Sequence, residues 1–156
     1  MVKRQKKYLF LVAVVLIMAV ALSGAFILSL VSTSKTTLDQ EYYGTSEQID
    51  LEKEDYERMI KQGKSFVVIS YASVCNSQIL DFVETFSEEN NIAFNFINWA
   101  KLRETDAAET IKYPPTVFIV EKGKIRAYLD SDSDEDTEKY NNYEAFSAWL
   151  KENLSL

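Results

Sequence analysis

The chain has 156 residues, 47% of them hydrophobic, with 24 acidic against 17 basic side chains, one cysteine and no histidine. Without imidazole, a Ser-His-Asp triad, a Cys-His dyad and the usual zinc sites are excluded, because each needs a group titrating near neutrality or a nitrogen ligand. A lone Cys75 excludes any intramolecular disulfide, and no metal or cofactor site is expected.

The length suits one domain of ordinary size plus one extra element. The charge is unevenly placed: Lys3, Arg4, Lys6 and Lys7 precede a run from Tyr8 to Ser34 with no charged residue. Setting those four cations aside from the 17 leaves 13 basic residues against 24 acidic ones. A domain that acidic repels phosphate backbones, so no nucleic-acid partner is expected.

In chain order, residues 1–7 form a basic tail and residues 8–31 (YLFLVAVVLIMAVALSGAFILSLV) a predicted transmembrane helix through the lipid bilayer. As a helix this stretch extends about 36 Å, enough to cross a hydrocarbon core. A cleaved signal peptide is the rival reading, but the apolar run continues through Phe26, Ile27, Leu28, Leu30 and Val31, longer than a signal core. No cysteine follows Gly24, which excludes a lipoprotein signal. Basic residues cluster before the span and only Lys35 follows closely, so the N-terminus is expected in the cytoplasm and the rest outside it. Residues 32–46 are polar and read as a stalk, with the extracytoplasmic domain at 47–156.

Within that domain a short strand is expected near Gln48 to Leu51. A helix follows over about Glu52 to Gln62, its face marked by Tyr56, Met59 and Ile60 and its end by Gly63. SFVVISY, Ser65 to Tyr71, reads as a buried strand, and Ile79, Val83 and Phe86 repeat at helical spacing after it. IAFNFINW, Ile92 to Trp99, alternates as a strand, and LRETDAAETIK suits a helix ending before Pro114-Pro115. TVFIVEKGKIRAYLD is a hairpin turning at Lys122-Gly123, and Tyr143, Phe146, Leu150 and Leu154 mark a terminal amphipathic helix. The order is β-α-β-α-β-β-α with an N-terminal strand and helix, an α/β domain with a central mixed sheet flanked by helices.

Two segments, SFVVISYASVCNSQILDF and IKYPPTVFIVEKGKIRAYL, carry a resemblance to the thioredoxin-like superfamily, which covers roughly Gln48 to Leu154. The first resembles that family's strand, active-site loop and helix; the second resembles its cis-proline hairpin. Ile111 matches the apolar position four before the proline, Pro115-Thr116 the Pro-Thr pair, and Gly123 the hairpin glycine. The resemblance implies a cis Pro114-Pro115 bond, a groove formed by Pro114, Pro115, Thr116 and Tyr71, and an active-site loop of Val74, Cys75, Asn76, Ser77 and Gln78.

The departures are concentrated at the chemistry. Where the family carries Cys-x-x-Cys, this chain reads Cys75-Asn76-Ser77-Gln78; Val74 replaces the tryptophan before the first cysteine, and Ile69 the buried acid six positions before it. Pro114 replaces the residue whose backbone N–H commonly pairs with a bound peptide, and proline has no such donor. A cysteine at a helix N-terminus is favoured as thiolate, so Cys75 remains a candidate catalytic residue able to form a mixed disulfide. With no second thiol it must wait for an external one. The alternative is a small side chain in a recognition module without redox chemistry. A free extracytoplasmic thiol also permits a disulfide-linked homodimer.

Tyr71, Val74 and Pro114 are expected to form an apolar docking patch, whereas most other aromatics, Tyr113, Tyr128 and Tyr140 among them, read as core. LDSDSDEDTEKYN alternates Asp130, Asp132, Asp134 and Asp136 like the start of an EF-hand loop. It has Glu135 at the position needing glycine and Asn141 where a bidentate glutamate belongs, so residues 130–138 read as a solvated acidic loop. Two functions follow. One is a membrane-anchored accessory module that binds an envelope or exported protein; the other is a monothiol disulfide oxidoreductase acting through Cys75.

Overall fold

A computed structural model of the chain describes residues 34–72 and 78–156. The segment read as membrane-spanning, residues 8–31, lies outside the described residues, as do Val74, Cys75, Asn76 and Ser77. Among the described residues no helix is long and apolar enough to cross a membrane.

Residues from Lys35 to Leu156 form one compact unit around a five-stranded sheet. Its elements are β1 (Gln48–Leu51), α1 (Lys53–Lys61), β2 (Phe66–Tyr71), α2 (Gln78–Asn90), β3 (Phe94–Asn98), α3 (Trp99–Leu102), β4 (Thr116–Glu121), β5 (Lys124–Tyr128), α4 (Thr137–Asn141) and α5 (Tyr143–Asn153). The spatial order is β1-β3-β2-β4-β5, with β1, β3 and β2 parallel and β4 and β5 antiparallel to their neighbours. β2 and β4 have almost no polar residues because both are covered on both faces. Tyr56 of α1 packs edge-on against Phe66 and Phe118 on one face, at 6.2 and 6.3 Å between ring centroids. On the other face Phe86 of α2 meets Phe94 of β3 and Phe146 of α5 at 6.3 and 6.2 Å.

Gly63 ends α1 in the left-handed region, where its N–H donates to the Ile60 carbonyl. Lys122 and Gly123, with φ of 51° and 75°, make the two-residue turn that a right-twisted hairpin favours. Gly123 serves a second purpose: a Cβ there would stand 2.3 Å from the Ile60 carbonyl oxygen, so the hairpin can dock on the end of α1 only with glycine.

Two expectations are corrected. The part of residues 32–46 that the structure describes is not a stalk. Thr36, Leu38 and Tyr42 are buried, Thr36 bridges to Leu154 and Tyr43 to Ile92, and Tyr43 Oη donates to the Ser155 carbonyl. Apolar Leu38 and Tyr42 carry the segment onto the sheet, where Tyr42 lies 6.2 Å from Phe66. The helix expected over LRETDAAETIK is instead the short α3 followed by a 3-10 turn at Asp106–Glu109. Thr105 breaks it: its hydroxyl donates to the Leu102 carbonyl and accepts from the Ala107 N–H, so the side chain replaces the helical ladder.

Candidate functional site

β2 and β4 are antiparallel neighbours, and their last pair in this direction is Ser70 with Thr116. The chain therefore leaves β2 at Tyr71 and enters β4 from Pro115 at one end of the sheet. The Pro114-Pro115 bond is cis, as the resemblance implies. Proline cannot donate to a ladder, and its place immediately before β4 leaves the sheet bonding intact.

This corner is held by hydroxyls. Ser70 and Thr116 are buried; Ser70 Oγ donates to the Thr116 carbonyl at 3.5 Å, and Thr116 Oγ1 donates to the Tyr113 carbonyl at 2.6 Å. Tyr140 Oη lies 2.9 Å from the carbonyl oxygens of both Pro115 and Leu129 and shares its one proton between them. Burial raises the Tyr140 pKa, and the nearby Asp136 and Asp130 carboxylates add to this while the Thr116 hydroxyl opposes it. The sequence marks Tyr140 only as a core aromatic. Its hydrogen bond to a residue 25 positions away has no local signature.

Of the predicted groove residues, Pro114 and Pro115 are half-buried, Thr116 is buried, and Tyr71 is half-buried with its ring 6.4 Å from Phe96. Tyr113 is not core: it is 55% exposed beside Pro114. Tyr128 is likewise exposed, on the edge strand β5.

The expected active-site loop reaches the described residues only at Gln78, which opens α2 and is exposed. The positions of Val74, Cys75, Asn76 and Ser77 against Pro115 lie outside the described residues. Ile69 is fully buried in β2, and among the described residues no Asp or Glu is buried. The sheet thus offers no buried carboxyl at Ile69 to take up a proton from a neighbouring thiol.

Among the described residues two clefts stand out on the domain. The larger, about 520 Å³, lies among α1, the Asp106–Glu109 turn and the hairpin tip at Gly123, at the end of β4 remote from Pro115. The smaller, about 260 Å³, is lined by Tyr71 together with Phe96, Leu80 and the edge strand β1.

The acidic segment also takes a defined form. Asp136 accepts from the Asp130 N–H at 2.9 Å and pairs with Lys139 at 2.7 Å, then leads into α4. No group of three or more acidic or cysteine side chains among the described residues is arranged to hold a metal ion.

No protein-family model matches the chain, and no curated protein matches it in sequence. Among solved structures it is similar to a mutant thioredoxin from Halobacterium salinarum, with 16% identity and a TM-score of 0.53 over 72% of this chain and 96% of that one. It is similar to a reduced thioredoxin pre-protein from Schistosoma mansoni, with 21% identity and a TM-score of 0.52 over 69% and 99%. Thioredoxin O2 from Arabidopsis thaliana matches with 9% identity and a TM-score of 0.51 over 70% and 96%. The fold is thioredoxin-like.

Proposed function

We propose that the protein is a membrane-anchored, extracytoplasmic docking module that uses the cis-proline end of a thioredoxin-like domain to hold an envelope or exported polypeptide, without dithiol reductase activity. One observation carries the reading: the cis-proline corner is built and braced, while Gln78 opens α2 and Ile69 fills the sheet position where the family places its acid. Dithiol exchange needs an internal second thiol to release a mixed disulfide. An amide at Gln78 cannot perform that attack, because it carries no thiolate.

Exposed Tyr113 and half-buried Pro114 provide the apolar contact surface a bound chain requires. The anchor is supported by the basic tail and the uncharged run from Tyr8 to Ser34, which also orient the acidic domain away from the cytoplasm.

Cys75→Ser at native expression tests the reading in cells. The docking module predicts unaltered function. Loss of function with normal protein level transfers the assignment to a monothiol oxidoreductase acting through Cys75 mixed disulfides.

A further inference from the structure

The 260 Å³ cleft beside Tyr71 has an apolar floor and an acidic rim. Tyr71, Leu80 and Phe96 form the floor, the two rings tilted at 60° to each other. Asp50, Asp81 and Glu84 stand on the rim, and no basic side chain among the described residues lines it.

Several surface acids elsewhere are matched, whereas others, Asp106, Asp132 and Glu135 among them, belong to no ion pair among the described residues. Glu52, Asp55, Glu57, Glu104, Glu121 and Asp136 each hold a lysine or arginine. None of the three rim carboxylates belongs to an ion pair among the described residues. Lys101 feels the charge of Asp50, but its ammonium is bonded to Glu52 at 2.6 Å. Negative potential is therefore left concentrated over a recess with low-dielectric walls.

The geometry selects the class of cation. The rim carboxylates do not converge as ligands for a metal ion. Spread around an aromatic floor, they suit a longer organic cation whose aliphatic stem lies on Leu80 and whose charged head meets ring faces and carboxylates together. We propose that this cleft binds a lysine or arginine side chain of the partner polypeptide, so that the docking segment of that partner is basic. The inference rests on the docking-module reading and supplies its partner's chemistry. The excess of 24 acidic over 13 basic residues beyond the N-terminal tail favours the approach of such a segment over its acidic counterpart.

The test is fluorescence anisotropy of the full chain in zwitterionic detergent, titrated with a short labelled Arg/Ser peptide and, separately, its Glu/Ser counterpart. The Arg/Ser peptide should bind in preference. Asp81→Asn combined with Glu84→Gln, both exposed positions, should weaken it about tenfold. Asp134→Asn with Glu135→Gln removes the same charge from the acidic loop and should change it less than about twofold. Equal loss in the two double variants, or no preference for the basic peptide, overturns the inference and leaves the docking reading standing. Binding that emerges only when Lys3, Arg4, Lys6 and Lys7 are replaced by Gln also overturns it, because the chain's own tail then fills the cleft.

Discussion

The two sides of the candidate site have been treated differently by this sequence. On the β4 side, the cis Pro114-Pro115 bond, the buried Ser70–Thr116 pair and the Tyr140 hydroxyl keep the corner in the form the fold demands. On the α2 side, the first helical residue is Gln78 and Ile69 is buried in β2, so the chain has no second cysteine and, among the described residues, no buried carboxyl. Holding a polypeptide and reducing it are separable demands. The first depends on backbone shape and apolar surface, whereas the second depends on two thiols and a proton acceptor.

The largest effect should come from restoring chemistry on the α2 side. Gln78→Cys places a second thiol close to Cys75 in sequence, and intramolecular attack gains enormous effective concentration. Insulin-disulfide turnover should rise about 100-fold or more over the unmodified chain, yet stay below that of a thioredoxin because Ile69 provides no carboxylate and Pro114 no N–H. A variant as inactive as the parent would show that more than the missing thiol separates the two sides.

Next in size is the glycine that docks the β4 hairpin on α1. Gly123→Ala forces a Cβ toward the Ile60 carbonyl at a φ of 75°, and should cost about 2–4 kcal/mol in urea unfolding with little change in slope. Tyr140→Phe removes only a hydroxyl, leaving the Pro115 and Leu129 carbonyls without its proton, for a loss of about 1–2 kcal/mol. If Tyr140→Phe costs nothing, the cis-proline corner is braced by other means and the contrast between the two sides weakens.

The smallest effect is confined to alkaline solution. Burial, reinforced by a hydrogen bond to Glu89 and by its charge, pushes Tyr143 up to about 12; burial, reinforced chiefly by Glu41, pushes Tyr42 up to about 12. Both groups are neutral below their pKa, and the folded value exceeds the ordinary value of 10.0. Their contribution to stability is therefore full below pH 10 and is lost as pH rises toward 12. An ultraviolet titration should show these two tyrosines ionising late, with stability declining over the same interval. Ionisation of every tyrosine near the ordinary value would contradict the packing of α5 on α2 and of Tyr42 on the sheet.

Much of this molecule is legible in its sequence where periodicity is strong. The β-branched run Phe66 to Tyr71, the Lys122-Gly123 turn and the spacing of Phe146 and Leu150 announce their elements because local pattern and tertiary burial agree there. Residues 35–44 escape such a reading because their few apolar side chains sit in a polar run. Leu38 and Tyr42 are buried by partners far along the chain, and a window of neighbours contains no trace of Leu154 or Phe66. The break in the expected helix at Thr105 is similarly hidden, since a threonine inside a helical pattern declares its backbone hydrogen bonds only when the chain is folded. Among site residues, Pro115 and Thr116 are readable from motif, whereas Tyr140 is not. The acidic rim of Asp50, Asp81 and Glu84 unites β1 with α2, elements that only the fold brings together.

The central claim, that this domain keeps the fold's capacity to hold a chain but not its dithiol chemistry, is tested most directly by insulin-disulfide reduction with the unmodified full-length protein and dithiothreitol as electron donor. The account predicts turnover indistinguishable from dithiothreitol alone. Sustained multiple turnover that disappears in Cys75→Ser would contradict it.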